Sequence, residues 1–107
     1  MTSKSRVLGL IGLSAKAGKI EFGADAVEEV ITRKKAKLVI VAEDASERTK
    51  KNFEFLCNKN NISYAVFGEI EDISKAIGKS NKAVIAIKDK NLSNEIYKII
   101  CGGEAIG

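Results

Sequence analysis

Basic side chains gathered in groups, several of them beside glycines, are the residues of this 107-residue chain best suited to chemistry. Gly78-Lys79-Ser80 matches the end of a P-loop, whose backbone N–H groups and lysine cradle phosphates. The full motif needs another glycine five positions earlier, where this chain has Ile73, and a strand leading in. Here a helical pattern leads in and a strand pattern leads out, so the P-loop is rejected. Ala15-Lys16-Ala17-Gly18-Lys19 fails as well, because no Ser or Thr follows the lysine. Gly9-Leu10-Ile11-Gly12 has the spacing of the GxxG loop of KH domains, but it lies inside an apolar helical pattern, where close helix packing is the better account.

Catalysis has little to draw on. The chain contains no His, which removes the commonest general base and the commonest metal ligand together. Cys57 and Cys101 each lie among apolar neighbours and are expected to be buried, unpaired thiols. Two cysteines make no disulfide scaffold, and a reducing, cytoplasmic setting is expected. Carboxylates occur at Glu28-Glu29, at Glu43-Asp44 and at Glu69, Glu71 and Asp72, but adjacent residues on a helix do not share a face. Asp44 sits where a strand pattern gives way to a helix and is expected to cap that helix. No catalytic residue, metal or cofactor is assigned, and the chain is not read as an enzyme.

The lysines remain. The first twenty residues hold Lys4, Arg6, Lys16 and Lys19 and no acid. Arg33, Lys34, Lys35 and Lys37 form a second group, Arg48, Lys50 and Lys51 a third, and Lys75, Lys79, Lys82 and Lys88 a fourth, again without an intervening acid. The net charge of +4 and a pI near 9.1 favour an anionic partner without naming one. Lys79 and Lys82 flank a glycine turn that also holds Ser80 and Asn81, short polar side chains suited to phosphates and bases.

These groups are positioned by alternating helical and strand patterns. The hydrophobic share of 45% and the charged share of 30% are those of a folded domain, and residues 1–107 are read as one domain. The apolar run at 38–42 is far too short to cross a bilayer, and the apolar stretch 7–13 is too brief for a signal peptide, so no membrane association is expected. Val7, Leu8, Ile11 and Ala15 recur at helical spacing, with Ser3 as the expected cap. Residues 19–22 suit a brief edge strand. Val27, Val30 and Ile31 mark a second helix with Gly23 at its N-cap. Residues 38–42 and 83–87 are continuous apolar runs rich in β-branched residues, the pattern of strands buried on both faces. Between them come a helix with apolar face Thr49, Phe53, Leu56 and Cys57, opened by Asp44-Ala45-Ser46-Glu47, then a strand at 62–67 and a short helix through Ile70, Ile73 and Ile77 ending at Gly78. Leu92, Ile96, Ile99 and Ile100 give the last helix. The order predicts an α/β fold, a three-layer α-β-α sandwich around a small mixed four-stranded sheet.

Three stretches carry a family resemblance. Lys16-Ala17-Gly18-Lys19-Ile20 followed by Gly23, then Ala36-Lys37-Leu38-Val39-Ile40-Val41-Ala42-Glu43-Asp44, and Ala76-Ile77-Gly78 before the final apolar strand resemble the kink-turn-binding ribosomal protein family of the archaeal seven-Ae and thirty-e type, in its small bacterial branch. The resemblance implies the same α-β-α sandwich and RNA binding, to ribosomal or other structured RNA. In kink-turn readers the second helix opens Gly-x-Asn-Glu-x-x-Lys. Here Gly23 is kept, while Asp25 replaces the Asn, Ala26 the Glu and Glu29 the Lys. These changes lose an amide donor and an acceptor and place a negative charge near the phosphates, so a standard kink-turn is expected to bind poorly. The family's second contact region is the loop before the last strand, here residues 78–82. The residues assigned to RNA are therefore Lys16, Lys19, Gly23, Asp25, Lys37, Gly78, Lys79, Ser80 and Lys82, in a protein expected to be a monomer with ribosomal proteins as further partners. The other reading is a protein adaptor, in which the acidic stretch 21–29, with four acids and no base, docks a basic partner.

Overall fold

Two buried strands organise the molecule, and their composition explains why. In the computed structural model, which describes residues 2–103, β2 (Leu38–Val41) and β4 (Val84–Ile87) are buried along their whole length. Their aliphatic side chains fill both faces of the sheet, and each face is closed by helices. The sheet order is β1-β4-β2-β3, with β1 (Ile20–Phe22) and β3 (Ser63–Val66) at the edges. β4 is antiparallel to both of its neighbours, and β2 pairs in parallel with β3. Helices α1 (Ser3–Lys16), α4 (Ile70–Ala76) and α5 (Lys90–Lys98) pack on one side, α2 (Ala24–Thr32) and α3 (Glu47–Asn60) on the other. This is the three-layer sandwich with a mixed four-stranded sheet that the apolar periodicity predicts, brief edge strand included.

Several local expectations change. α1 is capped by Thr2, whose hydroxyl accepts from the Ser5 N–H at 3.1 Å; Ser3 is already the first helical residue. α3 is capped by Ser46, which accepts from the Thr49 N–H at 3.1 Å. Asp44 instead reaches across 26 positions of sequence, and its carboxylate accepts from the Ile70 N–H at 2.8 Å, capping the start of α4. Gly9 and Gly12 lie within α1, and a Cβ on Gly12 would come to 3.2 Å from the Ala76 carbonyl oxygen, so the glycine lets α1 and α4 approach. Cys57 is fully buried, as expected, but Cys101 is exposed. After Lys98 the backbone continues as a π-type turn at Ile99–Gly103, and Cys101, five residues beyond Ile96, falls about 140° around the helix axis from the apolar face of Ile96 and Ile99. Among the described residues no helix is long and apolar enough to cross a membrane.

Candidate functional site

Strand direction creates the candidate site. β1, β2 and β3 all finish at the same end of the sheet, where β4 begins, because Phe22 registers with Ile85 and Val41 with both Val84 and Val66. Crevices outside the carboxyl ends of strands are where α/β folds place ligands. At this end Gly23 follows β1 and opens α2, and its N–H donates to the Val84 carbonyl at 3.1 Å. Its φ of 91° is one that side chains rarely adopt, and nothing lies where a Cβ would point. Conformation selects the glycine, and the first turn of α2 is left without a side-chain cap.

The same register carries residues 78–82 to the side of Phe22 and Gly23. The loop is rigidly held. Gly78, at φ 71°, ends α4, and the Lys79 N–H returns to the Ser74 carbonyl at 2.8 Å. The Ser74 hydroxyl is buried and accepts from the Lys82 N–H at 2.7 Å, and the Ala42 N–H donates to the Ala83 carbonyl at 2.8 Å. Lys79, Ser80 and Asn81 are exposed and Lys82 is half-buried. The Nζ atoms of Lys79 and Lys82 each lie 5.2 Å from the centre of the Phe22 ring. Cation–π attraction of about 0.5–1 kcal/mol per contact favours placing both ammonium groups over one half-buried aromatic. The product is a paired positive charge beside an exposed helix N-terminus, an arrangement complementary to phosphate.

The sequence-assigned residues fall into two sets. Gly23, Asp25, Gly78, Lys79, Ser80 and Lys82 come together at this end. Lys16, Lys19 and Lys37 lie at the opposite end, where Lys19 leads into β1 and Lys37 into β2. Phe22 and Ser74 were not singled out by sequence. Phe22 carries a weak signal as an aromatic directly before the glycine, whereas a serine in mid-helix carries none. The acidic stretch 21–29 is also divided. Glu21 pairs with Lys88 at 3.0 Å and Glu29 with Arg33 at 3.1 Å, leaving Asp25 and Glu28 outside those pairs. Asp25 stands in the first turn of α2, where a carboxylate suits the helix dipole. Among the described residues no three His, Cys, Asp or Glu side chains are grouped to hold a metal ion.

The three-layer sandwich around a mixed four-stranded sheet is the fold of a known class of protein. The model of the Ribosomal protein L7Ae/L30e/S12e/Gadd45 family matches residues 5–97, and the chain belongs to that family. It is 32% identical over 91 residues to the RNA-binding protein YlxQ of Bacillus subtilis, spanning 85% of this chain and 91% of that one. It is 29% identical over 100 residues to the large ribosomal subunit protein eL8 of Picrophilus torridus, spanning 92% and 79% respectively. Among solved structures, a 15.5kD RNA binding protein of Giardia lamblia is similar at a TM-score of 0.80 and 25% identity, covering all of this chain (100%) and 92% of its own.

Proposed function

We propose that this chain is a non-catalytic RNA-binding protein of the cytoplasm that holds ribosomal or other structured RNA at the sheet end built from Phe22, Gly23 and residues 78–82. The observation that carries the reading is the convergence of Lys79 and Lys82 on Phe22, beside the uncapped start of α2. RNA phosphates meet the two ammonium groups and the backbone N–H groups of the first α2 turn, while Ser80 and Asn81 reach toward sugar or base. Asp25, Ala26 and Glu29 do not supply the contacts of a kink-turn reader, so the preferred RNA differs from a standard kink-turn.

Filter binding of ribosomal RNA across a salt series tests this. Replacing both Lys79 and Lys82 with Ala should weaken binding and flatten the slope of log affinity against log salt by roughly one to two units. Unchanged affinity and slope would place the contact elsewhere.

A further inference from the structure

The lysines absent from that site gather at the other end of the sheet. Lys16 closes α1, Lys19 leads into β1, and Lys34, Lys35 and Lys37 occupy the connection from α2 to β2. Backbone hydrogen bonds lock these connections together. The Lys88 N–H donates to the Lys19 carbonyl at 2.7 Å and the Lys37 N–H to the Ile87 carbonyl at 2.8 Å, so the approaches to β1 and β2 lie on either side of the end of β4. Lys34 turns the chain at a left-handed φ of 59°, and the N–H groups of Lys35 and Ala36 both reach the Val30 carbonyl, at 2.8 and 3.1 Å. These bonds keep the backbone positions of the lysines at one end of the sheet.

All five lysines are exposed, and none makes an ion pair among the described residues. Of the nearby acids, Glu21 pairs with Lys88 and Glu29 with Arg33, while Glu28 forms no ion pair among the described residues and Asp89, which accepts from the Leu92 N–H at 2.8 Å, keeps its charge. Five lysines outside any ion pair among the described residues thus gather at one end of a chain whose net charge is +4. Helix dipoles account for Lys16, Lys34 and Lys35, which sit at the C-terminal ends of α1 and α2. They do not account for Lys19 and Lys37, which precede strands.

We propose that this lysine end is a second RNA-binding face, which takes the phosphate backbone of a duplex segment. Ammonium groups without an aromatic among them contact phosphates and read no base. The two ends are separated by the length of a four-residue strand, about 13 Å at the usual rise. That exceeds the screening length of about 8–10 Å, so occupation of one face leaves the other free to bind. The protein thereby joins two RNA segments. Binding at the lysine end stands independently of the proposed site at Phe22, and only the joining of two segments rests on that reading.

The test uses a short fluorescein-labelled RNA duplex titrated across a salt series. Replacing Lys19, Lys35 and Lys37 with Gln should flatten the slope of log affinity against log salt by about two to three units, at about 0.9 per lost phosphate contact. Lys37→Gln alone should flatten it by about 0.9, which keeps the test open should the triple variant fold poorly. Mixing donor-labelled with acceptor-labelled duplex should give energy transfer on addition of the unaltered protein. That transfer should vanish with the triple variant, and also with Lys79→Gln combined with Lys82→Gln. Slope and transfer retained by the triple variant but lost by the Lys79/Lys82 pair would overturn the second face and leave the first standing. The converse would remove the first and leave the second. Polyglutamate displacing the duplex as readily as polyuridylate of equal charge would overturn the RNA assignment of this face in favour of an acidic protein.

Discussion

Ser74 and Lys82 exchange hydrogen bonds across eight residues: the Lys82 N–H donates to the Ser74 hydroxyl at 2.7 Å, and that hydroxyl donates to the Lys82 carbonyl at 3.3 Å. One buried side chain on α4 thus closes the loop that carries Lys79 and Lys82. Ser74→Ala should leave the Lys82 N–H without a partner and destabilise the fold by about 1–3 kcal/mol in urea unfolding. Amide exchange at Lys82 should quicken more than at Ile85. Unaltered exchange at Lys82 would show that the loop is held by its other contacts.

Kink-turn recognition should be recoverable. Gly23 already holds the backbone at the entry to α2, so Asp25→Asn, Ala26→Glu and Glu29→Lys together should raise affinity for a standard kink-turn RNA by at least about tenfold, given about 1–3 kcal/mol for each recovered base contact. The variant should lose a few tenths of a kcal/mol in stability, because Arg33 would exchange its ion pair with Glu29 for a like charge one turn away. Tight binding of a standard kink-turn by the unaltered protein would contradict the reading of these three positions.

The two thiols should react at very different rates. Burial pushes the Cys57 thiol up to about 12, so it is protonated at neutral pH and shielded from reagent, whereas Cys101 is exposed. Native protein should take up one equivalent of a thiol reagent rapidly and a second only on unfolding, with peptide mapping placing the first at Cys101. Two rapid equivalents would mean that the α3 side of the core opens readily.

Lys4 and Asp72 couple α1 to α4, at 2.9 Å. The hydrogen bond from Lys4 holds the Asp72 carboxyl below its usual 3.8, and the same bond holds the Lys4 ammonium above its usual 10.5. A lowered carboxylate contributes stability that is present above its unfolded pKa and lost as pH falls through the folded value. A raised ammonium contributes below its unfolded pKa and loses that contribution as pH rises through the folded value. The stability difference between the unaltered protein and Asp72→Asn should therefore be constant across neutral pH and shrink at both extremes. A difference that grows below pH 3.8 would reverse the assignment.

Much of this architecture was legible in the sequence, because burial on both faces writes itself into a strand. The runs around Ile40 and Ile85 have no polar alternation, and Gly23 and Gly78 mark the turns beside them. What stayed hidden depends on partners distant in sequence. Asp44 has capping spacing toward α3, yet its partner is Ile70, and no local pattern reports a contact across 26 positions. Lys19 and Lys79 look alike as lysines beside glycines. They part company only once antiparallel pairing sends the start of β1 and the start of β4 to opposite ends. Cys101 has apolar neighbours in Ile99 and Ile100, but adjacency in sequence is not a shared face: five residues beyond Ile96 it stands about 140° around the helix axis.

The central place of β4 sets a temporal order on assembly. Among the described residues it is the last strand, yet it lies between β1 and β2, and it is the only strand there that pairs with β1. During synthesis β2 and β3 can pair as soon as both have emerged, but β1 must wait for more than sixty further residues, and long-range closures of this kind are slow. Gly23 and residues 78–82 meet only at that closure. A nascent chain therefore lacks the end proposed here to hold RNA until the sheet's final strand is in place.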